Sequence, residues 1–187
     1  MSAKNDKFKG IMKAFYKITF ILMFCILFMG LQSFTAVFHI PAQNAAYKLD
    51  KEKFVERHNY YRKKVGVPPV EWSDELAVYA DGWAKRLAQR CQLQHRKSHK
   101  YGENICKYPS GGNEYKVVDL WASEEEFFNH KKRKYRFKEG QKYGHYSQII
   151  WAKTTKIGAA VRLCKDGSQI WVCNYDPPGN YIDEEVY

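Results

Sequence analysis

The sequence predicts an α+β domain in which helices cover an antiparallel sheet. Three observations carry this reading. Apolar stripes at helical spacing fill the first half of the region after residue 46. Runs with strand character come later. The last two of those runs flank Lys165-Asp166-Gly167-Ser168, a hairpin turn centred on Asp-Gly. Helices first and hairpin-linked strands afterwards make a layered α+β domain.

The first helix is expected over Lys51 to Val65. Phe54, Val55, His58, Tyr61 and Val65 recur at helical spacing, and Gly66 with Pro68-Pro69 ends it. His58 lies on the apolar stripe and reads as a core histidine with its hydrogen bonds satisfied. Ser73 caps a second helix whose first turn carries Asp74 and Glu75, where carboxylates favour the helix dipole. Its buried face is Leu76, Tyr79, Ala80, Trp83, Leu87 and Cys91. A strand follows from Gly102 to about Tyr108, broken by Pro109-Ser110-Gly111-Gly112. The third helix is expected over Glu114 to Asn129, with Val117, Leu120, Trp121 and Phe128 as its stripe. Glu124 falls among those apolar positions, and a carboxylate there is costly unless it is paired. Glu125 and Glu126 rotate away towards water.

Residues 131–142 hold Lys131, Lys132, Arg133, Lys134, Arg136, Lys138 and Lys142 against Glu139, interleaved with Tyr135 and Phe137. Such a loop suits an anionic surface; nucleic acid is not expected of an exported chain. Tyr143 to Trp151 reads as a strand, with His145, Ser147, Ile149 and Trp151 alternating against Tyr146, Gln148 and Ile150. A histidine opening such a run needs polar partners. Ile157 to Leu163 and Gln169 to Tyr175 form the closing hairpin, and Pro177-Pro178-Gly179 ends strand pairing.

The chain has 187 residues, 45% of them hydrophobic and 16% aromatic, which suits one well-cored domain plus a tail. Residues 1–46 carry five lysines against Asp6. A stretch of fourteen uncharged residues follows from Ile18 to Leu31. That length is short for a membrane span and right for the apolar core of a secretory signal, with cleavage near Ala45 or Ala46. An uncleaved anchor over residues 18–31 is the alternative. The formal charge of +11 leaves about +7 on residues 47–187, favouring acidic partners. Four cysteines remain in the exported region: Cys91, Cys106, Cys164 and Cys173. The expected hairpin register pairs Cys164 with Gln169 and sets Cys173 opposite about Ala160. Those two sulfurs are then too far apart to bond. The expected bridges are Cys91–Cys164 and Cys106–Cys173.

His58-Asn59-x-x-Arg62, Gly102-Glu103-Asn104, Gly144-His145-Tyr146-Ser147-Gln148-Ile149-Ile150-Trp151 and Cys173-Asn174-Tyr175-Asp176-Pro177-Pro178-Gly179-Asn180 occur in that order. In this the chain resembles the CAP superfamily of cysteine-rich secretory proteins, venom allergens and plant pathogenesis-related proteins, and looks nearest to the last branch. The resemblance covers Phe54 to Tyr187 and implies an α-β-α sandwich with a surface cleft. It also implies a cleft tetrad of His95, Glu103, Glu124 and His145. His99 competes with His95 for the first position but lacks the spacing after Cys91. Many relatives have Cys where this chain has Tyr143 and Ala159, while Cys106 is extra here; a Cys106–Cys173 bridge would substitute for the usual one.

Two imidazoles converging with carboxylates suit Zn²⁺ or another divalent ion, with His95 and His145 as direct ligands and the glutamates orienting them. No nucleophile motif and no His-Glu-x-x-His helix accompany them. The resemblance implies a secreted binding protein, with sterols and fatty acids as ligands, rather than an enzyme. The alternatives are a metal-dependent hydrolase and a precursor releasing Pro177 to Tyr187 as a signalling peptide.

Overall fold

The computed structural model describes residues 47–98, 100–136 and 143–187. The N-terminal segment expected to be a signal or an anchor, His99, and residues 137–142 of the basic loop lie outside the described residues. Among those described, no helix is long and apolar enough to cross a membrane.

Helix α1 (Lys51–Val65) starts at Asp50, whose side chain accepts from Lys53 N, and ends at Gly66 in the left-handed conformation. The two-residue strand β1 (Glu71–Trp72) follows. Helix α2 (Asp74–Arg90) has Ser73 as its N-cap, as expected, and Cys91 at its C-terminal end. Then come β2 (Gly102–Tyr108), α3 (Glu114–Ala122), a 3₁₀ turn (Ser123–Phe127), α4 (Gly144–Ile149), β3 (Lys156–Leu163) and β4 (Gln169–Asp176). The strands form one sheet in the order β1-β3-β4-β2. Only the short β1–β3 pairing is parallel.

Alternation along the strands divides the core into two layers. Cys106, Ile157, Ala159, Val161, Trp171, Cys173 and Tyr175 pack with Phe54 of α1, Val117 and Trp121 of α3, and Tyr146 and Ile149 of α4. Ile105, Ala160, Ile170 and Val172 pack on the other side against Ala80, Ala84, Leu87 and Ala88 of α2. The architecture is an α-β-α sandwich. α2 lies so close to the sheet that a methyl group at Gly158 would collide with the backbone of Leu76 and Ala77.

His58-Asn59-x-x-Arg62 holds this architecture together. Asn59 exchanges two hydrogen bonds with the backbone of Val70 (2.8 and 3.0 Å). Arg62 is fully buried and donates to the carbonyls of Pro68, Ile149, Trp151 and Thr154 at 2.7–2.9 Å. Burial lowers its pKa to about 10, which leaves it charged at neutral pH. His58 is the satisfied core histidine that its position predicts. The Asn104 amide donates to the Tyr175 hydroxyl (2.9 Å), so that hydroxyl's own proton goes to His58 Nε2 (3.0 Å). The ring's Nδ1–H then donates to Phe54 O (2.9 Å). Burial depresses the His58 pKa to about 4, so the ring is neutral.

Four expectations need correction. Residues 143–151 are not a strand: Gly144–Ile149 is helical. Tyr146, Ile149 and Ile150 stand at i, i+3 and i+4, and Tyr146 through Trp151 are all buried, so period-two alternation had no exposure contrast behind it. The third helix stops at Ala122 and tightens into the 3₁₀ turn, and Leu120 is exposed rather than part of the stripe. The hairpin is offset by one: Leu163, not Cys164, pairs with Gln169, and Ala159 opposes Cys173. Its loop is closed by Cys164 N–H donating to Ser168 O and by Ser168 N–H donating to the Asp166 carboxylate.

The fourth correction concerns the bridges. Cys91–Cys164 forms, joining the end of α2 to the end of β3. Cys106 and Cys173 remain buried free thiols. Cys106 pairs with Trp171 and Cys173 with Asn104, so the two cysteines are diagonal neighbours on adjacent strands. Diagonal neighbours sit at about 7–8 Å, beyond the roughly 4.4–6.8 Å between Cα atoms that a disulfide spans. Burial pushes the Cys106 thiol up to about 12, and that of Cys173 is raised as well, so neither is a reactive thiolate.

Candidate functional site

A cleft of about 270 Å³ opens where β2 begins, lined by His95, Glu103, Asn104, Glu124, Tyr135, Gly144, His145 and Asn180. All four tetrad residues therefore meet at one place. They arrive from opposite layers of the sandwich. Glu103 projects to the α2 side of the sheet with Ile105, whereas Asn104 projects to the other side. The cleft straddles the edge of the sheet at this strand.

The His95 half is built from the segment after α2. The Trp83 indole donates to Gln94 O (2.9 Å). Arg96 donates to Tyr79 O (2.7 Å) and stacks on the Tyr79 ring at 3.8 Å from its centroid. These contacts pin the loop against the helix. Glu103 Oε1 then accepts from the Arg96 backbone N–H (3.0 Å) and from His95 Nδ1–H (2.9 Å). The Glu103 side chain is only 9% exposed, against 61% for His95. Its second oxygen, Oε2, is buried without a protein partner. Gly102 is required beside it, because a methyl group there would meet the Gln148 amide.

The other half is built the same way from the opposite layer. Trp121, buried in α3, places Glu124 one turn on, and the Trp121 ring stacks on His145 at 6.2 Å. Glu124 Oε1 accepts from His145 Nδ1–H (2.6 Å), and Oε2 accepts from the backbone N–H of His145 (2.7 Å) and Tyr146 (3.3 Å). This carboxylate closes the first turn of α4 as well as orienting the imidazole. The Asn104 amide donates to His145 O (3.1 Å) and joins the cleft to the buried His58–Tyr175 pair.

In both halves a carboxylate, which can only accept, receives the Nδ1–H bond, so each ring in its neutral form keeps its Nε2 lone pair. That is the arrangement in which a histidine serves as a metal ligand. His95 and His145 are thus the residues that could hold a divalent cation here. This is not a closed centre, however. Among the described residues, the one set of three ligand atoms within 4.8 Å of one another is Cys91, Cys164 and Asp166, whose sulfurs are already joined in the disulfide. Two imidazoles with open positions make a weak, exchangeable site.

The C-terminal segment forms part of the wall, which the prolines of the sequence did not suggest. Asn180 donates to Gly144 O (2.8 Å) and accepts from Ser147 (2.7 Å). Tyr135 N–H donates to Glu184 O, and Asp183 N–H donates to Tyr135 O. Tyr135 thereby reaches the cleft from the basic loop expected to suit an anionic surface. Burial, with Tyr143 and Glu124 nearby, raises its phenol pKa above 10, so it keeps its proton at neutral pH.

The CAP profile, described as the cysteine-rich secretory protein family, matches residues 55–175. The chain belongs to that family. It is 34% identical over 172 residues to pathogenesis-related protein 1A of Nicotiana tabacum, covering 87% of this chain and 98% of the relative. It is 37% identical over 139 residues to pathogenesis-related protein 1 of Arabidopsis thaliana, covering 73% and 82% respectively. The fold is similar to that of NaASP2, crystallised with Zn²⁺, at 24% identity and a TM-score of 0.66, covering 77% of this chain and 87% of that one.

Proposed function

We propose that the protein is a secreted, non-enzymatic binding protein whose cleft holds a divalent cation, most naturally Zn²⁺, between His95 and His145. One observation carries the reading: two carboxylates from opposite layers each hold an imidazole Nδ1–H and leave the Nε2 lone pairs for a ligand. A bound Zn²⁺ would act there as a Lewis acid with exchangeable positions. This chain's residues orient the imidazoles, through Glu103 and Glu124, and fix the His145 backbone, through Asn104. Membership of a family described as secretory supports export, and the pathogenesis-related names of its relatives support a role in defence. Sterol or fatty acid is the proposed cargo, and the exposed cations Lys131, Lys132 and Lys134 are the proposed contact with an anionic surface.

The competing reading is a metal-dependent hydrolase. Incubation with a peptide and ester library separates the two. Stoichiometric sterol or fatty-acid binding that survives EDTA and His145→Ala supports the binder. Turnover that EDTA and His145→Ala both abolish overturns it.

A further inference from the structure

We infer that Tyr135 is a ligand-recognition residue of the cleft: its hydroxyl donates a hydrogen bond to a small anion held on the cation between His95 and His145. The inference rests on the cation-binding reading above. Among the described residues, the groups of this cleft without a protein partner are acceptors, namely the Nε2 atoms of the two imidazoles. They suit a cation but offer nothing to the anion or water completing its coordination. Among the described residues, Tyr135 is the one side-chain hydroxyl lining the cleft. Among the described residues that hydroxyl makes no hydrogen bond; those of Tyr60, Tyr79, Tyr108 and Tyr181 make none either but do not line the cleft, whereas Tyr47, Tyr61, Tyr101, Tyr115, Tyr143 and Tyr146 donate theirs to protein oxygens.

Its position is imposed rather than incidental. Two backbone hydrogen bonds tie Tyr135 to Asp183 and Glu184. Its ring meets the Tyr143 ring edge-on, with centroids 6.0 Å apart. The hydroxyl lies 3.8 Å from where a Cβ would stand on Gly144, immediately before His145. A phenol fixed beside a metal-ligand histidine, with its donor unspent, is placed to read what binds the ion.

Co²⁺ serves as a visible-absorbing substitute for Zn²⁺, and azide as the anion. Wild type and Tyr135→Phe are expected to bind Co²⁺ within about twofold of each other and to unfold at the same temperature, because Phe keeps the ring contacts and no hydrogen bond is lost. Azide is then expected to bind the Co²⁺ form of wild type roughly tenfold more tightly than that of Tyr135→Phe, the loss typical of a hydrogen bond to a charged group. Tyr143→Phe, whose hydroxyl is bonded to Arg136, should behave as wild type towards azide. Equal azide affinity in wild type and Tyr135→Phe, or no effect of azide on the Co²⁺ bands of wild type, overturns the inference and leaves the cation site standing. Absence of Co²⁺ binding by wild type, seen before azide is added, overturns both.

Discussion

At the scale of single residues, the buried imidazole of His58 and the carboxylate of Glu124 carry the sharpest consequences. The pKa of His58 falls from 6.5 to about 4 on folding, so between those values the unfolded chain binds more protons than the native one. Stability from this group is complete above about pH 6.5 and is lost as pH falls towards 4, by about 3 kcal/mol in all. Urea unfolding across that window should show the slope, and His58→Gln should flatten it. Glu124→Ala removes the acceptor for one imidazole and two backbone N–H groups, and should cost about 2 kcal/mol in the same assay. Glu124 was legible in the sequence because a carboxylate on an apolar stripe calls for a partner. His145 was legible in the same way, as a histidine opening an apolar run, whereas Glu103 and His95 sit in no such local conflict and only the likeness of their motifs to a family drew them in. Tyr135 carried no signal, since its place depends on backbone pairing with residues almost fifty positions later.

At the scale of elements, α1 and α2 could be read because each spans several turns and carries its own punctuation, Gly66 for one and Ser73 for the other. α4 could not. Six residues give too few repeats to separate a period of 3.6 from one of 2, and both ends of this helix are satisfied by distant side chains, Glu124 at the start and Arg62 at the end. Its existence is a tertiary fact. Arg62→Lys should therefore be far from neutral. A lysine cannot reach four carbonyls in a fixed plane, and a loss of about 3 kcal/mol or more is expected on chemical denaturation. The free Cys106–Cys173 pair teaches a related point: even with every strand recognised, the pairing of adjacent strands decides whether two cysteines lie opposite or diagonal. The Cys91–Cys164 bridge, at a sequence separation of 73, should account for about 2–5 kcal/mol, measured as the stability lost in Cys91→Ser/Cys164→Ser.

At the scale of the whole molecule, the C-terminal segment is a structural strap. Val186 is fully buried, its carbonyl accepts from Ala152 N–H, and its N–H donates to Arg133 O. Gly179 N–H is held by Gln148, and Asn180 by Gly144 and Ser147. Removing Pro177 to Tyr187 would uncover the core and take one wall from the cleft. A chain ending at Asp176 should lose its cooperative thermal transition, whereas a truncated chain that stays native would favour the peptide-precursor reading. The sandwich, the strap and the two carboxylate–imidazole pairs converge on one claim, that His95 and His145 belong to a single cation site. Thermal unfolding of the protein during a Zn²⁺ titration, beside His95→Ala and His145→Ala, tests it most directly. An ion that binds only the native state stabilises it by roughly 2.7 kcal/mol at a hundredfold excess over Kd. The wild-type midpoint should rise by several degrees with Zn²⁺, and both variants should lose the rise; no shift in wild type at saturating Zn²⁺, or a shift that either variant keeps, would contradict the account.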